Sequence, residues 1–248
     1  MINFFSRKTY LVDELSGFID IHNHILPAID DGAKSVEDSL ALIKGFREFG
    51  IQDLIATPHI MHNYYDNTPK TIGTALDLVN KELEKNNTLD SKIVASAEHM
   101  IDGNFETILE NGSIMTLGKE YLLVEMSYLQ PPINFNQAIK AITNKWLYPV
   151  LAHPERYGFL HGRPRKYVEF KNQNILFQMN LLSLGGYYGK EVHKVGLKLL
   201  EEEMIDFVGS DVHNLHQLEE LKKVTLSKKH LNLIKPILER TIASFQIT

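Results

Sequence analysis

The chain has 248 residues with 44% apolar side chains, a content that suits one large α/β domain with a full core and excludes a disordered or fibrous protein. It contains no cysteine, so a disulfide framework, thiolate metal ligands and a cysteine nucleophile are all excluded. The formal charge of −5 offers no basic footprint for nucleic acid.

In chain order, residues 1–8 lack the long apolar stretch of a signal peptide. No window approaches the roughly 20 apolar residues that span a bilayer. A soluble cytoplasmic protein without membrane insertion is therefore expected, with residues 1–16 as an N-terminal extension packed against the bottom of the fold. The first strand reads Phe18-Ile19-Asp20-Ile21 and runs at once into His22-Asn23-His24. Val36, Leu40, Ile43 and Phe46 then recur at helical spacing behind Ser35, with Asp38 three residues on as a capping partner. The second strand, Leu54-Ile55-Ala56, precedes His59. Thr68-Pro69 opens a second helix marked by Ile72, Leu76, Val79 and Leu83, since proline suits the first helical turn. Residues 85–90 read as a surface loop.

Ile93-Val94-Ala95 leads to Glu98, and Leu122-Leu123-Val124 leads to Glu125. Val150-Leu151-Ala152 runs into His153-Pro154-Glu155-Arg156, and Phe207-Val208-Gly209 into Ser210-Asp211-Val212-His213. Ile175-Leu176-Phe177 is the one run that ends without an obvious ligand. Weaker helical stretches cover residues 105–110, 136–145, 164–171 and 191–202. Leu231, Ile234, Leu238, Ile242 and Phe245 mark a final amphipathic helix that contains Pro236, where a kink or a restarted helix is expected.

Strands alternating with helices imply parallel strands joined by crossovers. Seven such runs favour a closed or nearly closed (β/α) barrel over an open doubly wound sheet, in a single domain spanning 1–248. Parallel strands with converging C-terminal ends would bring the imidazoles and carboxylates to one mouth. His22 and His24, two apart on an extended segment, face the same way and can share a cation. So many charged groups would repel or go unsolvated without cations among them. Imidazole and carboxylate ligands suit manganese, iron, zinc or magnesium. The number of candidate ligands points to two or three ions, and clustered divalent ions suit hydrolysis at a phosphoryl centre.

Asp30-Asp31-Gly32 admits two readings: an aspartate serving the site as a ligand or acid, or a turn leading to a helix cap. Arg156 is placed to grip phosphate with its planar fork, or to form a structural ion pair with Glu155 or a loop carboxylate. Arg163 and Arg165 add charge nearby or face solvent. His99 is turned away from the site by strand alternation. His62, His161, His193, His216 and His230 have no paired ligand pattern, although His62 and His161 could stand in an outer shell. Tyr64 and Tyr65 are candidates for a rim that receives an aromatic ring.

Taken together, the stretches Asp20-Ile21-His22-Asn23-His24, Asp30-Asp31-Gly32, Thr57-Pro58-His59, Ala97-Glu98, Val124-Glu125-Met126-Ser127, Ala152-His153-Pro154-Glu155-Arg156 and Ser210-Asp211-Val212-His213-Asn214 resemble the polymerase-and-histidinol-phosphatase (PHP) superfamily. Within it, they resemble the bacterial protein-tyrosine phosphatases of capsule and exopolysaccharide loci. The resemblance implies a distorted seven-stranded, TIM-like (β/α) barrel with a trinuclear site, manganese being the expected ion. It implies His22, His24, Glu98, Glu125, His153, Asp211 and His213 as metal ligands, with His59 a ligand or close to one. Asp31, His59 and Arg156 would support phosphate binding and leaving-group departure. The implied partner is a phosphotyrosine protein, a bacterial tyrosine kinase that controls polysaccharide export. Some members carry an arginine soon after the last Asp-x-His motif; residues 214–219 have none, which shifts phosphate gripping to Arg156, the metals or His216. Two alternatives stand beside this reading: a small-molecule phosphatase of histidinol-phosphatase type, and a non-catalytic PHP binding module.

Overall fold

The structure is a computed structural model that describes residues 9–86 and 93–247. The short strand β1 (Thr9–Tyr10) leads through a 3-10 turn to β2 (Ile19–Asp20), α1 (Val36–Glu48), β3 (Asp53–Ala56), β4 (His59–Ile60) and α2 (Pro69–Asn86). There follow β5 (Ile93–Ala95), β6 (Glu98–Met100), α3 (Phe105–Glu110), β7 (Tyr121–Glu125), α4 (Phe135–Asn144), β8 (Tyr148–Ala152) and α5 (Pro164–Asn172). The chain ends with β9 (Leu176–Asn180), α6 (Lys190–Glu201), β10 (Phe207–Gly209), α7 (Leu215–Leu221), β11 (Thr225–Leu226) and α8 (Lys228–Ser244).

This is a mixed α/β fold around a curled parallel sheet. β2, β3 and β5 pair in parallel, and β4, β6, β7, β8, β9 and β10 form a second parallel run in that order. The second and third apolar runs each contribute to both sheets. The chain steps across at Ala56–His59 and Ala95–Glu98, so β3 pairs with β5 while β4 pairs with β6. A parallel bridge from Asn23 to Val212 ties the first run to the last. β1 and β11 pair antiparallel on the periphery, a pairing that the hydrophobic pattern did not announce.

The core has two parts, set by the period-two alternation of the strands. Leu54, Ala56, Leu122, Val124, Leu151 and Phe177 face the helices. Ile55, Leu123, Val150, Ala152 and Phe207 face inward around Phe245, which follows α8. Leu11 and Leu15 are fully buried in the outer core, so the described part of the N-terminal extension packs on the fold.

The helices match their expected starts closely. Ser35 Oγ accepts from Asp38 N at 3.2 Å, the anticipated cap of α1. α2 begins at Pro69 and runs to Asn86; the expected loop at 85–90 is thus helical at its first two residues, and the rest lies outside the described residues. Of the two outcomes expected at Pro236, the restart does not occur, because α8 is continuous from Lys228 to Ser244. The proline frees one carbonyl, that of Asn232, and this residue is exposed to water, while Ile234, Ile237 and Leu238 hold both halves against the core. Among the described residues no helix is long and apolar enough to cross a membrane.

Candidate metal centre and active site

The centre is assembled where the strands end. Asp20, His22 and His24 alternate along one extended segment, and all three are fully buried. Asp20 anchors the base. Its carboxylate accepts from Ser210 N at 2.7 Å, Ser210 Oγ at 2.6 Å and Asn23 Nδ2 at 3.1 Å, tying the first run to the last. Burial pushes its pKa up to about 6 even so.

The two histidines above it are oriented through their Nδ1 atoms. His22 Nδ1 lies 2.7 Å from Gln178 Oε1, and His24 Nδ1 lies 2.8 Å from Asp30 Oδ2. An amide or carboxylate oxygen only accepts here, so each Nδ1 carries the proton and each Nε2 keeps a lone pair for the centre. Asp30 also takes Gly32 N on Oδ1 at 2.8 Å and His59 N on Oδ2 at 3.2 Å. Gly32 is required: a Cβ there would stand 2.0 Å from His24 O. The Asp30-Asp31 pair thus divides its work, with Asp30 turned to the backbone and His24 and Asp31 turned to the mouth.

Side chains then converge in three overlapping groups: His24, Asp31, His59 and His213; His22, His24, Glu98 and Asp211; and His59, Glu98 and Glu125. His22 Nε2 is 3.2 Å from Glu98 Oε2 and 3.4 Å from Asp211 Oδ1. His59 Nδ1 is 3.1 Å from Glu98 Oε2 and 2.9 Å from Glu125 Oε1. His59 Nε2 and His213 Nε2 lie 3.4 and 3.5 Å from Asp31 Oδ1. His153 stands at the edge: its Nε2 meets Glu98 Oε1 at 2.9 Å, but it belongs to none of the three groups.

Glu98 and Asp211 are buried, which opposes their charge, yet the surrounding imidazoles hold both well below the usual carboxylate range. Burial likewise opposes charge on His24, but Asp30 and Asp211 raise it well above the ordinary histidine value, so without a cation Nε2 also holds a proton, which a bound ion would displace to use the lone pair. Burial and the nearby histidines act against each other on Asp31 too, and His213 and His59 win, keeping it ionised.

The donor set fits divalent cations. His22 Nε2, His24 Nε2, His59 Nδ1, Glu98 Oε2 and Glu125 Oε1 are buried without a hydrogen-bond partner. Leaving one such atom unpaired costs about 1–3 kcal/mol, so five of them aimed at shared points are accounted for by ions held between them. Hard and borderline ions such as manganese, iron and zinc accept this mixture of nitrogen and oxygen.

Arg156 borders the same space. Its Nη1 donates to Asp211 Oδ2 at 2.6 Å, and its guanidinium lies 4.0 Å from the Tyr188 ring centroid and 4.8 Å from that of Tyr128. Of the two ion pairs open to it, the one with a loop carboxylate forms, with Asp211, and the one with Glu155 does not. Glu155 is buried on the other side, where its Oε1 accepts from Asn180 N at 3.0 Å and Ser183 Oγ at 2.7 Å.

The strand that seemed to lack a ligand supplies the supports. Gln178 holds His22, donates through Nε2 to Asn180 Oδ1 at 3.1 Å, and Asn180 Nδ2 donates to Asp211 Oδ2 at 2.6 Å. A buried chain therefore links His22, Gln178, Asn180, Asp211 and Arg156. Its signal was present as two amides alternating at the end of an apolar run.

Above the centre lies a cleft of about 790 Å³ whose floor includes His59, Glu125, Asp211 and Arg156. Tyr65 stacks on His59 with ring centroids 5.5 Å apart and planes 13° from parallel; Tyr64 stands at the mouth, 79% exposed. Both tyrosines thus sit on the rim expected of them, with Tyr128 joining from the opposite loop. His62 also lines the cleft, whereas His161 bonds the Glu155 carbonyl behind Arg156. His216, Arg163 and Arg165 are exposed and lie outside the cleft lining. His99 is buried in a separate place, with Nδ1 3.1 Å from Leu123 O and Nε2 accepting from Met115 N at 3.2 Å.

The family described as capsular polysaccharide synthesis, CpsB/CapC, matches residues 18–230, a span that holds every member of the three groups. The chain belongs to the CpsB/CapC family. A CpsB/CapC relative from Bacillus subtilis, the tyrosine-protein phosphatase YwqE, is 34% identical over 198 residues, 79% of this chain and 78% of the relative. A solved structure from work on YwqE of B. subtilis and CpsB of Streptococcus pneumoniae, characterised as metal-dependent tyrosine phosphatases, superposes with a TM-score of 0.78 at 30% identity. It covers 93% of this chain and 96% of that one. Histidinol phosphate phosphatase from Lactococcus lactis, solved with zinc, L-histidinol and phosphate, shares the fold at a TM-score of 0.52 and 12% identity, over 84% of this chain and 92% of that one. The CpsB/CapC assignment and this fold likeness agree with the PHP resemblance of the motifs.

Proposed function

We propose that the protein is a metal-dependent protein-tyrosine phosphatase of the cytoplasm, acting on a bacterial tyrosine kinase that controls capsule or exopolysaccharide synthesis. The observation that carries this reading is the set of partnerless buried nitrogen and oxygen atoms, of which those of His59 and Glu125 belong to residues lining an open, tyrosine-rimmed cleft. The consecutive pairing of the strands and the Asn23–Val212 bridge support treating the sheet as a distorted seven-stranded barrel in one domain.

His22, His24, His59, Glu98, Glu125, His153, Asp211 and His213 would hold two to three divalent ions, manganese being the expected one, with Asp31 completing the outermost group and His153 reaching the centre at its edge, beside Glu98. When bound, such ions lower the pKa of an attacking water and counter the charge that builds on the phosphoryl oxygens. Arg156, fixed by Asp211 and two tyrosine rings, presents its guanidinium to the same oxygens. Asp31, held ionised, is suited to binding a cation rather than to giving up a proton. Little proton help is needed, because a departing tyrosyl oxygen has a pKa of only about 10.

The test compares a phosphotyrosine peptide with histidinol phosphate, each with manganese added and after chelation. Metal-dependent turnover of the peptide supports the proposal. Preference for histidinol phosphate moves the activity to a small metabolite, and bound metal with no turnover of either points to a binding module.

A further inference from the structure

The segment after Glu125 exposes apolar side chains beside the cleft. Leu129 is 89% exposed and Ile133 is fully exposed, separated by Gln130-Pro131-Pro132. Two adjacent prolines restrict the backbone of this segment. Its end is pinned as well: Asn134 Nδ2 donates to Asp102 O at 2.9 Å and to both Glu106 oxygens at 3.0 Å. Two large apolar side chains exposed on one proline-restricted loop beside the cleft offer an apolar contact to a chain lying along it.

A second depression lies along this loop, lined by Gly103, Glu106, Pro131, Ile133 and Gln137. Asp102, Ser127 and Leu129 line both it and the cleft over the metal centre, so the two form one continuous groove. Among the described residues no lysine or arginine lines the second depression, while Asp102 and Glu106 give it two carboxylates. A chain whose phosphotyrosine entered the cleft would have its neighbouring residues at this shared wall.

We propose that this depression is the docking site for the residues flanking the phosphotyrosine of a polypeptide substrate, selecting an apolar side chain against Leu129 and Ile133 and a cationic one against Asp102 and Glu106. The inference rests on the phosphatase reading and adds its peptide preference. A lysine or arginine satisfies both halves when its alkyl stem lies on the prolines and its head reaches the carboxylates.

The decisive experiment uses the manganese-loaded protein and its Ile133→Ala and Glu106→Gln variants. Ile133 is fully exposed, and glutamine can still accept from Asn134, so both variants are expected to fold. Three substrates are compared: p-nitrophenyl phosphate, a phosphotyrosine peptide flanked by leucine and lysine, and the same peptide with serine and glutamate in those places. The wild type should favour the leucine-lysine peptide. Each variant should raise KM for that peptide by about tenfold or less, the range of a single peripheral interface contact, with kcat and p-nitrophenyl phosphate turnover unchanged. Equal KM for both peptides, or variants that lower turnover of all three substrates alike, would overturn the docking site while leaving the phosphatase intact. Failure of the wild type to hydrolyse any of the three would instead remove the phosphatase reading and the docking site with it.

Discussion

The clearest stress on the metal centre is Asp30→Asn, an isosteric change at a residue that need not touch an ion. Asp30 receives three donors: Gly32 N on one oxygen, and His24 Nδ1 and His59 N on the other. An asparagine offers one oxygen and one NH2 group, so each of its two orientations sets a donor against a donor. With the amide oxygen toward His24, the NH2 opposes Gly32 N–H, and losing that buried hydrogen bond costs about 1–3 kcal/mol. With the NH2 toward His24, Nδ1 must become the acceptor. The ring proton then moves to Nε2 and removes the lone pair shared by two of the three ligand groups. Changes of this kind in a ligand's supporting partner typically cost about 10–100-fold in metal affinity. We therefore expect a loss of that size in manganese affinity by calorimetric titration. The metal-free protein should also lose about 2–4 °C of melting temperature for each kcal/mol. Unchanged metal affinity in a folded Asp30→Asn protein would refute the assignment of His24 as an Nε2 ligand oriented by Asp30.

Other perturbations separate the remaining parts. Arg156→Lys keeps the charge but loses the planar fork and the stacking between Tyr128 and Tyr188; kcat/KM for a phosphotyrosine peptide should fall by about 100-fold, with metal content by elemental analysis unchanged. Gln178→Leu strands His22 Nδ1–H and frees Asn180 from one partner; manganese affinity should drop by about tenfold, and a normal titration would show that His22 is held by packing alone. His99 supplies the pH dependence. Burial depresses its pKa to about 4, against about 6.5 in the unfolded chain, so between these values the unfolded state binds a proton that the folded state refuses. The His99 contribution is therefore complete above about pH 6.5 and falls by about 3 kcal/mol as the pH drops to 4. Asp20, raised by burial to about 6, acts in the opposite sense over much of this range, so the check is a difference. Chemical denaturation of the metal-free wild type and of His99→Gln, which can still donate to Leu123 O and accept from Met115 N, should give pH profiles that diverge by that amount.

Much of the centre was legible because strand phase and ligand chemistry coincide. Leu123 faces inward and so does Glu125 two residues on; Phe207, Gly209 and Asp211 repeat the relation on the last strand. The parts that stayed hidden depend on long-range contacts that local pattern does not encode. Nothing near Arg156 in sequence says that it turns to Asp211, 55 residues away, and leaves Glu155 to Ser183. The step of two apolar runs from one sheet to the other was equally invisible, because Leu54-Ile55-Ala56 reads as a strand whichever neighbour it pairs with. The β1–β11 pair joins segments too short to show alternation. Pro236 gave two outcomes, a kink or a restart, and local pattern could not show that α8 would run through it, because that depends on Asn232 being exposed and on the core contacts of both halves.

The backbone at two ends of the sheet explains why a site of this kind sits there. His153 has φ 36° and Asp211 has φ 55°, left-handed values that cost energy for residues with a Cβ. Both residues directly follow or closely follow a strand, at the points where β8 and β10 stop. A continued strand would carry each side chain on in the alternating phase. The left-handed turn breaks that phase at His153, whereas Asp211 stays on the face of Phe207 and Gly209, and both turns permit the bonds that lock each corner, Arg156 N to His153 O at 2.9 Å and Asp211 N to His22 O at 2.7 Å. Glycine would adopt these angles at lower cost, but glycine brings neither imidazole nor carboxylate. The strain is thus located at residues whose side chains meet Glu98, His22 and Arg156. It follows that His153→Gly and Asp211→Gly should relieve backbone strain while removing these contacts. Either variant that retained wild-type metal affinity would separate the backbone geometry from the metal centre.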